Sequence, residues 1–228
     1  LKHLNKYNVI HIDMASMTDG HSDDFLENMK RKLYEDINEE LNTEINPVQD
    51  ISETINKIYK KTKTAFVIII DEWDCVVRNF SNTPTLVHEY LQFLHSLFKS
   101  EEAQEFLALG YITGILPIKK IEDESALNNF LEYTMIDSGN LTEYFGFTEK
   151  EVEMLCEKYG MNTESVKEWY NGYLIDGQHM YNPNSVYQAM IDHSLESYWK
   201  NTSAFDTINT FITLNFDGLK EDVMKMLA

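Results

Sequence analysis

The sequence predicts an α/β fold: a parallel sheet with flanking helices, followed by a mainly α-helical region. Residues 66–70 are an unbroken apolar and mostly β-branched run, which is typical of a strand covered on both faces. The other candidate strands are separated by stretches of helical periodicity, and this alternation indicates parallel crossovers. Beyond about residue 142 the sequence has no long apolar run. We therefore expect an α/β core over residues 1–141 and a helical region with a small hairpin over 142–228.

The first part of the predicted core alternates strand and helix patterns. Residues 7–14 alternate in polarity and predict a strand. Ser22 is a candidate N-cap for the helix that follows. The apolar positions of this amphipathic helix are Phe25, Leu26, Met29, Leu33, Ile37 and Leu41. A second helix has Ile51, Ile55, Ile58 and Tyr59 on one face and leads into the apolar run at 66–70.

The second part of the core repeats the alternation. A loop is expected at residues 79–84. The helical stripe after it comprises Leu86, Val87, Tyr90, Leu91, Leu94, Leu97 and Phe98. Short apolar runs at 107–116 and 131–136 predict two further strands.

The region after residue 142 has helix signals and one turn signal. Thr148 and Glu151 form a capping-box pattern that predicts a helix start. Another helix is expected at 165–170, and Asp176-Gly177 between apolar flanks predicts a hairpin over 173–181. Residues 182–185 open a further helix, and a last one is expected from about Gly218.

The charge of the chain argues against some partners. The chain has 19 basic and 38 acidic residues, which gives a net charge of -19. Because nucleic-acid affinity comes largely from Lys and Arg, we expect no direct nucleic-acid binding. The exception would be a local patch such as Lys57, Lys60, Lys61 and Lys63, although a solvated helix end is the simpler interpretation of these lysines. No apolar run is long enough to cross a bilayer. The two cysteines, Cys75 and Cys156, form no metal-type pair and suggest a reducing, cytoplasmic location.

Acidic side chains follow directly after the apolar run at 66–70. Ligands of open α/β sheets bind beyond the carboxyl ends of the strands, so Asp71, Glu72 and Asp74 are candidate site residues. In nucleotide hydrolases such a strand, the Walker B strand, provides an acid for Mg²⁺ and a glutamate that activates water. Asp71 and Glu72 fit these two roles. The simpler interpretation is a buried strand that ends in solvent-facing acids, with Asp74 as the cap of the following turn.

Two further observations bear on the chemistry of this cluster. A two-metal nuclease site would also use clustered acids. The cluster lacks the lysine two positions after the acid that the PD-(D/E)XK nuclease pattern requires, because Asp74 and Cys75 follow. None of the nine glycines begins a loop ending in Gly-Lys-Ser/Thr, the usual phosphate-binding loop.

Several segments together resemble the predicted AAA-ATPase-like family of bacterial P-loop ATPases. The matching segments are residues 69–74, 111–120, 144–148, 169–173 and 181–186. The resemblance implies a P-loop NTPase-like core that binds Mg²⁺ and ATP, followed by a helical domain. It assigns Mg²⁺ binding to Asp71, water activation to Glu72 and a sensor role toward the γ-phosphate or the attacking water to Thr113. A PD-(D/E)XK nuclease-like domain commonly follows in similar proteins.

The resemblance also implies that this chain lacks part of the site. The chain begins at Leu1 rather than Met, so we expect the phosphate-binding loop upstream. Its strand would lie between the Thr113 strand and the one at 131–136, and without it the sheet would have an unpaired edge and an exposed apolar face. We expect the isolated chain neither to bind ATP well nor to hydrolyse it.

The functional expectation is an ATPase that couples Mg-ATP binding or hydrolysis to a conformational change. The alternative is a non-catalytic, ATPase-like scaffold whose acidic surface binds a partner protein. Lys119 and Lys120 could face phosphate, although surface lysines at a helix start are commoner. The aromatic residues of the helical region, Trp169, Tyr170, Tyr173, Tyr181 and Trp199, could stack a base but are more typical of a core.

Overall fold

The structure is a computed structural model that describes residues 2–18, 24–41, 50–116, 118, 127–135 and 137–198. The chain divides into two compact units, Leu1–Glu132 and Tyr133–Ala228. The predicted cap Ser22, the lysines at 119 and 120, Trp199 and the predicted helix from Gly218 lie outside the described residues.

The first unit is a parallel sheet with helices between its strands, as predicted. Its strands are β1 (Asn8–Asp13), β2 (Phe66–Asp71) and β3 (Leu107–Ile112), hydrogen-bonded in the order β1-β2-β3. Its helices are α1 (Met14–Thr18), α2 (Phe25–Leu41), α3 (Ile51–Thr62), α4 (Cys75–Asn79), α5 (Pro84–Lys99) and α6 (Glu101–Phe106). The central strand is β2, so its carboxyl end has a neighbouring strand on each side.

One face of this sheet forms the core. Phe66, Ile68 and Ile70 of β2 are almost fully buried, and Ile10 and Ile12 of β1 lie beside them in register. The helices pack over this face with the apolar stripes that the sequence predicts. Asp50 caps α3 and also accepts a hydrogen bond from the Ser96 hydroxyl of α5 at 2.9 Å, so this cap joins two helices.

The opposite face of the same sheet is open. Val9, Val67 and Leu109 pair across the three strands, and Tyr111 follows on the same face of β3. Val9 is 61% exposed, Leu109 55% and Tyr111 53%. In the ranges that the structure describes, β3 pairs with β2 alone, which leaves one strand edge free. The unpaired edge and exposed apolar face expected from the sequence are both present.

The prediction of a strand at 131–136 is wrong for the residues of this segment that the structure describes. Residues 131–134 have no regular secondary structure, and position 136 lies outside the described ranges. Thr134 and Asp137 instead bond to each other: the Thr134 amide donates to the Asp137 carbonyl, and the Asp137 amide donates to the Thr134 hydroxyl. This local turn occupies backbone groups that would otherwise form hydrogen bonds with a neighbouring strand. The strand predicted at 107–116 is also shorter and ends at Ile112.

The second unit is mainly helical and has a small antiparallel sheet. After a 3-10 helix (Gly139–Tyr144) come β4 (Phe147–Thr148), α7 (Glu149–Tyr159), α8 (Thr163–Tyr170), β5 (Asn171–Ile175), β6 (Gln178–Tyr181) and α9 (Pro183–Asp192). The strand order is β4-β6-β5. The capping box of Thr148 and Glu151 is formed as predicted. Asp176 and Gly177, both at positive φ, make the predicted hairpin turn between β5 and β6.

Within the described ranges, no helix combines the length and the apolar character needed to cross a membrane.

Candidate functional site

The carboxyl ends of the three parallel strands carry polar side chains. Asp71 is the last residue of β2, and its register partner on β1 is Asp13. Thr113 follows directly after β3. Asp13 is engaged locally, because its carboxylate accepts the Ser16 amide at 3.2 Å. The candidate site therefore centres on the ends of β2 and β3.

Asp71 and Thr113 are in direct contact. The Thr113 hydroxyl donates to Asp71 Oδ1, and the Glu72 amide donates to the same oxygen at 3.1 Å and to Thr113 Oγ1 at 3.3 Å. Backbone bonds extend the β2–β3 pairing past the strand ends: the Thr113 amide donates to the Ile70 carbonyl, and the Trp73 amide donates to the Thr113 carbonyl, each at 2.9 Å. Two residues 42 positions apart in sequence thus form one polar cluster.

Glu72 lies beside this cluster in an unusual backbone conformation. Its φ is 50°, in the left-handed region that costs a non-glycine residue about 1 kcal/mol or more. The side chain is 46% exposed, and its Oε2 accepts a hydrogen bond from the Arg78 guanidinium at 2.9 Å. The backbone therefore turns sharply at the residue to which the sequence assigns water activation.

The turn after β2 is fixed by a buried tyrosine. Trp73 is 2% exposed, and its carbonyl accepts the Tyr90 hydroxyl at 2.7 Å. Burial, with the Asp74 charge as a smaller cause, raises the pKa of Tyr90 well above its ordinary value, so the hydroxyl stays protonated and keeps donating. Helix α5 thus fixes the backbone two residues beyond Asp71.

Asp74 is fully buried and links β2 to the segment after β3. Its carboxylate accepts the amides of Ile115 at 3.2 Å and Leu116 at 3.0 Å, and the Arg78 Nε at 2.8 Å. The residue occupies the N-cap position of α4, as expected, but its side chain makes no capping hydrogen bond. Asp74 is therefore a structural connector between two sequence-distant loops.

Gly114 is the residue that lets these two loops approach. A Cβ atom at this position would lie 2.6 Å from Asp74 Oδ1 and 2.6 Å from the Trp73 ring. These distances are well below van der Waals contact. A side chain at position 114 would push Thr113 and Asp74 apart.

The free thiol next to the site is structural. Cys75 is buried, and its sulfur contacts the Thr18 hydroxyl at 3.3 Å and the Asn79 amide at 3.2 Å. Burial raises the pKa of this thiol, which lowers its reactivity. Cys75 is therefore poorly suited to nucleophilic chemistry.

The donor set at Asp71 suits one magnesium ion that is otherwise held by water and phosphate. Among the described residues, no cluster of three or more His, Cys, Asp or Glu side chains could hold a metal by itself. Mg²⁺ commonly takes one or two carboxylates and completes its shell with waters and substrate phosphates. Asp71 Oδ2 accepts no hydrogen bond from the described part of the chain, so it is available to a Mg²⁺ ion or to a metal-bound water.

A surface pocket in the first unit lies elsewhere. It has a volume of about 460 Å³ and is lined by residues of α1 and α2, including Ser16, Asn28 and Arg31. None of Asp71, Glu72 and Thr113 lines it. The pocket is therefore separate from the hydrogen-bonded cluster of Asp71, Glu72 and Thr113.

Sequence reasoning missed Arg78, which belongs to none of the motifs found in the sequence. Arg78 bonds both Glu72 and Asp74 and has 9% of its side chain exposed. The available signal was the four-residue spacing from Asp74, which places both side chains on one face of a helical turn. That spacing is common on exposed helices, so burial was needed to single it out.

Comparison with known proteins agrees with the resemblance drawn from the motifs. An uncharacterized protein in the vnfD 5′ region of Azotobacter chroococcum mcd 1 is 28% identical over 141 residues. The aligned stretch covers 60% of this chain and 27% of that protein, so the chain spans about a quarter of its relative. The model of the AAA-ATPase-like family, described as "Predicted AAA-ATPase", matches residues 1–122. As the match extends over more than half of the sequence, the chain belongs to the AAA-ATPase-like family.

Proposed function

We propose that this chain provides the magnesium-binding and water-activating residues of an ATPase. In the intact protein, Mg-ATP binding and hydrolysis would drive a conformational change. The observation that supports this most is the joined cluster of Asp71 and Thr113 at the carboxyl ends of two adjacent parallel strands, with Glu72 next in the chain. Family membership favours nucleotide binding independently of this geometry.

Each residue has one role in the proposal. Asp71 holds Mg²⁺, directly or through a water, and the ion offsets negative charge on the phosphates. Thr113 hydrogen-bonds the γ-phosphate or the attacking water. Glu72 accepts a proton from that water as it attacks the terminal phosphate. Asp74 keeps the loops after β2 and β3 together, Tyr90 fixes the first of these loops to α5, and neither residue has a role toward water or phosphate.

The phosphate-binding loop is assigned to a segment outside this chain. The edge of β3 that has no partner among the described residues, and the exposed apolar face around Leu109 and Tyr111, favour a strand and helix that pack beside β3. A nuclease-like domain in the same polypeptide and a cytoplasmic location belong to the proposal as well. The nuclease-like domain is proposed from the resemblance to the family, and the location from the cysteine usage of the chain.

The central test is phosphate release by the full-length protein with Mg-ATP. We expect Glu72→Gln to lower kcat by about 100-fold or more, the usual contribution of a positioned general base, and to leave nucleotide binding intact. Glu35→Gln is the matched control, because Glu35 is an exposed acid on α2 that pairs with Arg31 and not with Asp71, Glu72 or Thr113. Equal turnover in wild type and Glu72→Gln would remove Glu72 from the mechanism.

Nucleotide binding by the isolated chain tests where the phosphate-binding loop lies. Isothermal titration with Mg-ATP is expected to show no micromolar binding, because one carboxylate and one hydroxyl cannot hold a triphosphate. Micromolar binding by the 228-residue chain would contradict the assignment of that loop to another segment.

A further inference from the structure

We infer that Arg78 is the positioning residue of Glu72, fixing one oxygen of its carboxylate so that the other can receive the proton of the attacking water. The inference rests on the proposed ATPase function. Arg78 itself contacts neither water nor nucleotide in this assignment, and it acts through Glu72.

Arg78 is held as a fixed point in the fold. Its Nε donates to Asp74 Oδ2 at 2.8 Å, while one terminal nitrogen donates to Glu72 Oε2 at 2.9 Å. The Arg78 side chain is 9% exposed and that of Asp74 is 0% exposed. The planar guanidinium thus bridges a buried carboxylate and a half-exposed one.

The charge of Arg78 is balanced without Glu72. Asp74 neutralises the guanidinium, and Asp74 is itself held by the Ile115 and Leu116 amides. A buried cation that already has a buried partner does not require a second, surface carboxylate for stability. The bond to Glu72 therefore does more for Glu72 than for Arg78.

Glu72 is the member of this network that needs orientation. It follows the end of β2, and 46% of its side chain is exposed, so without Arg78 its carboxylate would sample several rotamers. With Oε2 bound to Arg78, Oε1 accepts no hydrogen bond from the residues that the structure describes. One anchored oxygen and one open oxygen suit a general base that must meet a water in a defined geometry.

The same network sets the distance between Glu72 and Thr113. Asp74 binds the segment directly after Thr113, while Arg78 binds Asp74 and Glu72 at once. The forked shape of arginine is needed here, because lysine presents a single charged group and cannot reproduce two separate, directed bonds. Arg78→Lys should therefore keep the buried charge and lose the alignment.

The test is steady-state phosphate release by the full-length protein, with melting temperature measured on every variant. Arg78→Gln and Arg78→Lys are compared with Arg31→Gln, which changes the other arginine of the chain, an exposed residue on α2. We expect both Arg78 variants to lower kcat by about 10-fold to 100-fold with the KM for ATP unchanged, because misplacing a catalytic group costs rate more than binding. Arg31→Gln should match wild type.

A double-mutant comparison separates positioning from other roles. In the Glu72→Gln background, Arg78→Gln should cause no further loss of kcat, because the residue through which Arg78 acts is already gone. A multiplied loss would overturn the inference, since Arg78 would then act on the phosphate itself. If Arg78→Gln fails to fold, Arg78→Lys carries the same test in both backgrounds.

The outcomes distinguish this inference from the proposed function. Wild-type kcat in folded Arg78→Lys and Arg78→Gln would overturn the positioning role and leave the ATPase proposal standing. A lower melting temperature with wild-type kcat would make Arg78 a structural residue only. No phosphate release by wild type would overturn the proposed function and this inference together.

Discussion

The two arginines of the chain make similar ion pairs in very different surroundings. Arg31 pairs with Glu35 on α2 at 3.0 Å, and Arg78 pairs with Asp74 at 2.8 Å, each with a spacing of four residues. The first pair is 60% and 62% exposed, whereas the second is 9% and 0% exposed. Solvent screens the first pair to a fraction of a kcal/mol, while the second lies where an unpaired charge is expensive. Burial, rather than spacing, therefore distinguishes the two pairs.

Of the changes that test this difference, removing the buried acid Asp74 should have the largest effect on stability. Asp74→Asn takes away the charge that neutralises Arg78 and turns an acceptor of two backbone amides into a mixed donor and acceptor. We expect the free energy of unfolding to fall by about 3–5 kcal/mol. Urea denaturation of the isolated chain measures this change. A loss as small as that of a surface variant would mean that solvent reaches the pair.

The next largest loss of stability is expected from adding one carbon atom beside Asp74. Gly114→Ala places a Cβ 2.6 Å from Asp74 Oδ1, so the loops after β2 and β3 must separate. Overpacking of this kind costs about 1–3 kcal/mol. Gly172→Ala is the control, because its Cβ would meet no described atom closer than the Tyr170 carbonyl at 3.9 Å. Equal melting temperatures of the two variants would contradict the close approach at Gly114.

An intermediate case is Asp50, which caps α3 and binds Ser96 of α5. Partial burial opposes its ionisation, but hydrogen bonds from Ser52 and Ser96 outweigh that cost and lower the pKa of Asp50. A lowered folded-state pKa stabilises the fold above the unfolded value of about 3.9, and this contribution disappears as the pH falls through the folded value. Asp50→Ala should therefore cost about 1 kcal/mol at neutral pH. The difference from wild type, measured by urea denaturation, should shrink in acid below both pKa values.

The exposed pair should give the smallest effect. Glu35→Gln removes the partner of Arg31 where both side chains are mostly in solvent. The expected loss in the free energy of unfolding is about 0.5 kcal/mol or less, and it should vanish at high salt. A loss of several kcal/mol would show that spacing alone sets the strength of such pairs in this chain.

Periodicity and turn chemistry predicted most of the fold. The three parallel strands, the main helices of the first unit, the capping box and the Asp176-Gly177 hairpin follow from local sequence patterns and are confirmed. The prediction of a strand at 131–136 was wrong because a short apolar stretch does not show whether a neighbouring strand is present to pair with it. Leu131 is 82% exposed, and Thr134 and Asp137 form a turn instead.

The candidate site was predictable only where it follows from sheet geometry. Parallel strands bring their carboxyl ends together, which predicts that Asp71 and Thr113 lie close, and the structure joins them. The contacts of Asp74 span about 41 residues and reach backbone amides, which carry no sequence signature. The role of Arg78 could not be predicted for a related reason. The burial of its side chain depends on how α4 packs, and the presence of two arginines in the sequence does not indicate which of them is buried.

The left-handed backbone of Glu72 has a consequence for protein engineering. Glycine and asparagine adopt a φ near 50° more easily than glutamate does. The backbone at position 72 therefore favours these two residues over the native glutamate. A library selected for heat resistance alone is expected to accept these residues there and lose the carboxylate without penalty from the selection. Under the proposed function, directed evolution therefore needs a phosphate-release assay of the full-length protein alongside any thermal screen.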